Sequence, residues 1–263
     1  MRLKEAATWP RIMLVAMVLA TWPVWRWYGV RSIDGSDEPW GLLALGTLIA
    51  LSLRNGFSLP KNAERFWGPA VLLAIYALTF RSFSPLPRAI IAAAAFGALC
   101  FRGRTAVAHA GLLALSLPVI ASVQFYLGYP LRVLAAEASA MALRALDFAV
   151  TREGSLLHWR GETIMVDTPC GGVHMLWVGF YLAASLAIWS RLGNLRALGL
   201  FAATLVLVIG ANVIRATALF FKESGIIALP GWTHAGIGAL LFGAAAFIIL
   251  RFARDSEAKP CPV

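Results

Sequence analysis

Cys170 stands in Asp167-Thr168-Pro169-Cys170-Gly171-Gly172-Val173-His174, where a polar stretch ends and a long apolar one begins. Pro169, Gly171 and Gly172 interrupt regular structure, and Met175 to Trp189 has the composition of a membrane helix, so the thiol is expected at or just before a helix N-terminus. The unpaired N–H groups and the dipole of a helix start favour the thiolate, the nucleophilic form of cysteine, and should hold its pKa below that of a free thiol. His174 follows four residues on, about one helical turn away and on roughly the same face. Arg215 lies inside an apolar run, Ala211-Asn212-Val213-Ile214-Arg215-Ala216-Thr217, with Asn212 on the same helical face and able to orient the guanidinium. His234 sits in Gly231-Trp232-Thr233-His234-Ala235-Gly236 at the start of another apolar segment. A thiolate, an imidazole and a fixed cation are the parts of acyl transfer at a peptide carbonyl: attack, proton transfer and stabilisation of the oxyanion. An amine accepting the acyl group gives transpeptidation, and water gives proteolysis.

Each residue has a bland alternative. Cys170 could be a small residue at a helix start, Arg215 a snorkelling cation, and His174 or His234 an incidental boundary histidine. The elements that position them decide between the readings. The 263 residues are 60% hydrophobic, well above the 45–50% typical of a soluble domain, and apolar segments alternate with short charged loops from end to end. One integral membrane domain is expected over 1–263, with five helices in 12–127, an extracytoplasmic loop at 128–169, a three-helix catalytic part at 170–252 and a cytoplasmic tail at 253–263. The net charge of +10 falls in loops between apolar segments, which argues for topology signals and against nucleic-acid binding. Cys100, Cys170 and Cys261 have no metal-type spacing, and Cys261 is too close to the end for a prenylation box. No metal or organic cofactor is indicated. The first apolar segment is expected to be a retained helix and not a cleaved signal peptide.

The fold class expected is an all-α polytopic membrane protein with about eight transmembrane helices: Ile12–Tyr28, Trp40–Leu53, Phe66–Phe80, Arg88–Phe101, Ala106–Leu127 with a kink at Pro118, Gly172–Trp189, Ala197–Phe221 and Trp232–Phe252. One set of loops carries 13 Lys and Arg against four acids, the other nine against nine, which places both termini in the cytoplasm. Cys170, Arg215 and His234 then meet at the outer face, although the loop count made no use of them. Arg215 would lie roughly 9 Å below the outer surface, where a charge costs about 2.5–3.5 kcal/mol unless it faces a protein interior or a watery site. Between helices five and six, Leu131–Ala149 is expected to form an amphipathic helix along the outer surface, with Leu131, Leu134, Ala138, Met141, Ala142 and Ala145 near one stripe. Leu156-Leu157-His158-Trp159, Arg160-Gly161-Glu162 and Thr163-Ile164-Met165-Val166 then read as a small β-hairpin leading to Cys170. His109 and His158 are weaker candidates for chemistry.

With these residues in place, the second half of the chain, Gly128 to Phe252, resembles the exosortase/archaeosortase family of integral membrane cysteine transpeptidases: amphipathic stretch, hairpin, Pro169-Cys170-Gly171-Gly172, then the arginine and the histidine of the last two helices. The resemblance implies Cys170 as nucleophile, Arg215 as transition-state stabiliser and His234 as proton-transfer residue. It also implies substrates with a C-terminal sorting signal (a short motif, a hydrophobic helix and a basic end), cut at the outer face of the cytoplasmic (inner) membrane and passed to a surface acceptor such as a lipid or glycan, often in exopolysaccharide-making bacteria. The family usually has Cys-Ser-Gly where this chain has Cys170-Gly171-Gly172. His174 remains an alternative proton-transfer group. Competing expectations are a membrane protease using water, a non-catalytic component of exopolysaccharide assembly or export, in which Cys170→Ala is silent, and a transporter, which the absence of repeats opposes.

Overall fold

The computed structural model describes residues 12–34, 39–55, 66–166, 171–228 and 230–258. Most of these are helical. In chain order the elements are α1 (residues 12–20), α2 (Trp22–Ile33), α3 (Trp40–Arg54), α4 (Trp67–Thr79), α5 (Pro85–Cys100), α6 (Ala106–Leu115), α7 (Ile120–Ala145), β1 (Thr151–Glu153), β2 (Leu156–Trp159), β3 (Glu162–Met165), α8 (Val173–Trp189), α9 (Asn194–Glu223) and α10 (Thr233–Ala258). Among the described residues, α9 and Thr233–Asp255 of α10 are each long and apolar enough to cross a membrane alone. Helices α3, α4, α5 and α8 are apolar but shorter. The helix expected over Ala106–Leu127 is instead two, broken at residues 116–119, because Pro118 has no N–H for the helical ladder and keeps Leu117 out of helical geometry. Likewise α1 gives way to α2 at Thr21, beside Pro23, and the Thr21 hydroxyl donates back to the Met17 carbonyl at 2.7 Å.

The chain forms two compact units, Met1–Val119 with Ala184–Leu198, and Ile120–Ala183 with Gly199–Val263. In the first, α4 packs on α5, α3 on α6, and α5 also meets α2 and α6. Ala89, Ala92 and Ala95 are fully buried on α5, where small side chains let neighbouring helices approach closely. Asn194 pins the start of α6: its Oδ1 accepts from the Val107 N–H at 3.1 Å and its Nδ2 donates to the Gly103 carbonyl at 2.9 Å.

The second unit holds the residues of chemical interest. Helix α7 ends in a left-handed cap at Asp147 (φ 65°): the Asp147 N–H bonds the Arg144 carbonyl and the Phe148 N–H the Leu143 carbonyl. It buries Ala135, Ala136, Ser139, Ala140 and Leu143, while Leu134 and Met141 of the expected stripe are exposed. The surface helix expected over Leu131–Ala149 is therefore not a separate element but the continuation of a helix that starts at Ile120 and runs through Pro130 to Ala145; small residues make its core contact, and Leu134 and Met141 stay exposed. The hairpin gains a third strand. The sheet order is β1-β2-β3, antiparallel throughout, with Leu157 opposite Ile164 and Trp159 opposite Glu162. Its tight β2–β3 turn is Arg160-Gly161, both at positive φ (51° and 83°), a turn whose twist suits a two-residue hairpin. Leu157, Ile164 and Val166 face a core completed by Leu143, Leu219 and Phe220. Phe148, Trp159, Phe220 and Phe221 pack around it, mostly edge-to-face, with Trp159 and Phe220 centroids 5.8 Å apart, so the sheet is seated on the C-terminal end of α9. Exposed Arg152 pairs with Glu137 and ties β1 to α7.

Candidate active site

Helix α8 starts from a pair of buried glycines. Gly172 has φ +73°, a left-handed conformation that disfavours any side chain, and its carbonyl accepts the first-turn N–H of Leu176 at 2.8 Å. A Cβ on Gly172 would lie 3.2 Å from Asn212 Cγ, and one on Gly171 would lie 3.4 Å from both Arg132 Cγ and the Gly128 carbonyl oxygen. The two glycines are therefore what lets α7 and α9 close on the chain directly after Cys170. Cys170 itself, with Asp167, Thr168 and Pro169, lies outside the described residues.

Asn212 and Arg215 lie three apart on α9 and are both buried, 5% and 8% exposed. The Arg215 guanidinium rests on α10. A Cβ on Gly238 would come within 3.3 Å of its Cζ and Nε, and its Nη2 is 3.4 Å from His234 Nδ1. His234 and Gly238 are four apart, so one turn of α10 brackets the guanidinium from two sides. An arginine can only donate, so Nδ1 is the acceptor in this long contact, and the neutral ring then carries its proton on Nε2. His234 is half-buried and presents an N–H on the side away from Arg215. Beside it, a cavity of about 300 Å³ opens between β3 and the end of α9, walled by Glu162, Thr163, Met165, Leu219, Glu223 and His234 among others.

The residues singled out by sequence thus separate. Gly172, Asn212, Arg215 and His234 come together, with Gly171 beside them. His174, on the first turn of α8, is exposed and makes no hydrogen bond or ion pair among the described residues. His109 is a satisfied interior histidine, donating its Nδ1–H to the Thr105 carbonyl at 2.8 Å and stacked on Phe101. His158 pairs with Thr163 Oγ1 across the β2–β3 ladder at 3.0 Å. Arg132 is the residue that sequence reasoning passed over: its stem lies against Gly171, which brings a second guanidinium side chain to the segment that carries Cys170. The signal available was its spacing of four from Gly128, which marks one face of α7 but does not say what that face meets.

A fixed cation, a hydrogen-bonded imidazole and a glycine-paved helix start are suited to stabilising negative charge that develops on a carbonyl oxygen and to giving a proton to a departing group. A family profile described as transmembrane exosortase (Exosortase_EpsH) matches residues 9–251. No curated protein and no solved structure gives a match. The profile spans nearly the whole chain, first helices included, and the chain belongs to the transmembrane exosortase family.

Proposed function

We propose that this protein is a membrane cysteine transpeptidase that cleaves the C-terminal sorting signals of secreted proteins at the outer face of the inner membrane and transfers the new carboxyl end to a surface acceptor. It would do so as one multi-pass domain of about eight spans with both termini in the cytoplasm. The observation that carries the reading is the Arg215–His234 contact, 3.4 Å long, held on the face of α9 from which Asn212 packs on Gly172, two residues after Cys170.

His234 takes the thiol proton of Cys170 on its free ring nitrogen and becomes an imidazolium; the thiolate adds to the scissile carbonyl carbon, and Arg215 stabilises the oxyanion so formed. The C–N bond then breaks. The leaving amine takes the Nε2 proton of this imidazolium, and a neutral imidazole with a free lone pair on Nε2 is left behind. The acceptor, an amine of a surface molecule or water, gives its proton back to Nε2 as it attacks the thioester and releases the thiolate. Burial and the contact with Arg215 both favour His234 over exposed His174 for this exchange. In this scheme Asn212 positions the start of α8 relative to Arg215, and Gly171 and Gly172 admit the close approach.

The test is processing of a secreted protein with a C-terminal motif, hydrophobic helix and basic end, in cells with matched levels of wild type, Cys170→Ala, Cys170→Ser and Arg215→Ala. Loss in all three supports the reading. Processing that survives Cys170→Ala but not Arg215→Ala would shift the role to a non-catalytic part in polysaccharide assembly.

A further inference from the structure

We propose that the open edge of β3 is the docking strand for the substrate, so that an extended polypeptide segment enters the cavity beside His234 and adds to the sheet as a fourth strand. This rests on the reading above and goes beyond it by naming where and how the segment preceding the cut is held.

The register fixes which backbone groups are available. The Val166 N–H bonds the Ser155 carbonyl at 3.0 Å, and Leu157–Ile164 and Trp159–Glu162 are the matching rungs at two-residue intervals. Glu162, Ile164 and Val166 therefore direct their N–H and C=O groups to β2. Thr163 and Met165 direct theirs the other way, toward the outer edge, and among the described residues nothing bonds to those groups; the contact made by Thr163 is through its hydroxyl. An unpaired edge is normally covered or blunted, because its donors and acceptors template another chain. Among the described residues no element covers β3; the edge borders the cavity of about 300 Å³ instead.

The cavity walls suit an extended peptide and little else. Two outward amide units lie two residues apart, about 7 Å along the strand, and only another main chain supplies acceptors and donors with that repeat. Leu219 and Phe220 of α9 give an apolar wall for one side chain, and Glu162 gives a carboxylate that favours a basic or neutral side chain over an acidic one; Glu223 beside it is paired with Lys222 at 3.4 Å. His234 shares the lining, so a strand docked here passes beside the imidazole that faces the leaving group in the proposed reaction. Because β3 is followed within five residues by Cys170, the strand that reads the substrate and the residue that attacks it belong to one short stretch of chain.

The probe is a synthetic, fluorescent C-terminal tail with a short motif, a hydrophobic helix and a basic end, bound to full-length Cys170→Ala protein in nanodiscs. Backbone N-methylation is placed at each motif residue in turn. Loss of affinity of about five- to tenfold per methyl is expected at alternate residues only, the signature of one main-chain hydrogen bond removed every second position. On the protein side, Met165→Pro removes an outward donor that the β2–β3 ladder does not use, and should weaken binding at least about fivefold more than Met165→Ala. A tail that does not bind, or a methyl scan without the two-residue period, overturns the proposal. If Met165→Pro fails to fold, the scan on the Cys170→Ala protein still decides. Periodic binding of a tail that wild-type protein never cuts would retain the docking strand and remove the transpeptidase reading; cutting with a flat scan would do the reverse.

Discussion

Gly238→Ala separates the position of the Arg215 guanidinium from its presence. The added methyl would sit 3.3 Å from Cζ and Nε and 3.5 Å from Nη2, nearer than carbon normally approaches a planar group, so the guanidinium must give way by a few tenths of an ångström. Its contact with His234 Nδ1 is already 3.4 Å, at the long limit of a hydrogen bond, and that shift removes it. Complete loss of one oxyanion donor costs on the order of 100–1000-fold in rate, so a displaced but retained cation should cost about 10–100-fold. Stability moves the other way, if at all: Gly→Ala inside a helix gains about 0.5–1 kcal/mol, offset in part by the crowding. Gly243→Ala is the control, on the same helix with no atom within 4 Å of the new methyl. The assay is level-normalised processing of a tripartite tail, with thermal unfolding in detergent alongside. If Gly238→Ala processes at the rate of Gly243→Ala while Cys170→Ala remains dead, the placement of this guanidinium contributes nothing to the transition state.

Gly172→Ala should destabilise the protein by on the order of 2 kcal/mol and depress processing, because φ +73° is unfavourable to any Cβ and Asn212 Cγ stands 3.2 Å from it; an unchanged melting temperature would count against the conformation described. Gly179 sits where α8 meets α9, and a Cβ there would lie 2.9 Å from Val208 Cγ2 and 3.1 Å from Thr204 Cγ2. Gly179→Leu is therefore expected to cost about 3 kcal/mol or more and to lower the amount of folded protein in membranes, measured by detergent-extracted monodisperse material. Iodoacetamide labelling of Cys170, in a Cys100→Ser, Cys261→Ser background, should rise at lower pH than that of a model thiol; identical profiles would remove the thiolate argument.

That Asn212 and Arg215 share one face of a helix was legible, because helical spacing puts residues three apart on the same side; the 3.4 Å approach of His234 joins two helices and is seen only in the structure. The hairpin was legible from its apolar runs around Arg160-Gly161-Glu162, but its turn is one residue shorter than expected: Glu162 pairs with Trp159 as the first residue of β3. Strand β1 was not: Thr151, Arg152 and Glu153 are all exposed and polar, so no alternation marks them. The buried face of α7 escaped for the opposite reason, since Ala135, Ala136 and Ala140 carry too little apolar surface to outweigh Leu134 and Met141 in a pattern of hydrophobicity, although they make the contact. Helix α5 begins at Pro85, behind Ser84, three residues before the expected Arg88; a serine followed by proline at the first helical position was the available signal. Arg132 could be placed on a helix by sequence but not against Gly171, because that contact joins segments about forty residues apart whose packing no local pattern encodes.

The Arg160-Gly161 turn has a consequence for descent. Adding a single residue between β2 and β3 would turn Ile164 outward and put Thr163 and Met165 on the face that packs on Phe220, which they cannot fill. Length changes in this hairpin should therefore be inherited in steps of two, or arrive with a bulge that restores the parity, and related chains can lengthen the hairpin at its turn without moving the strand that leads to the cysteine.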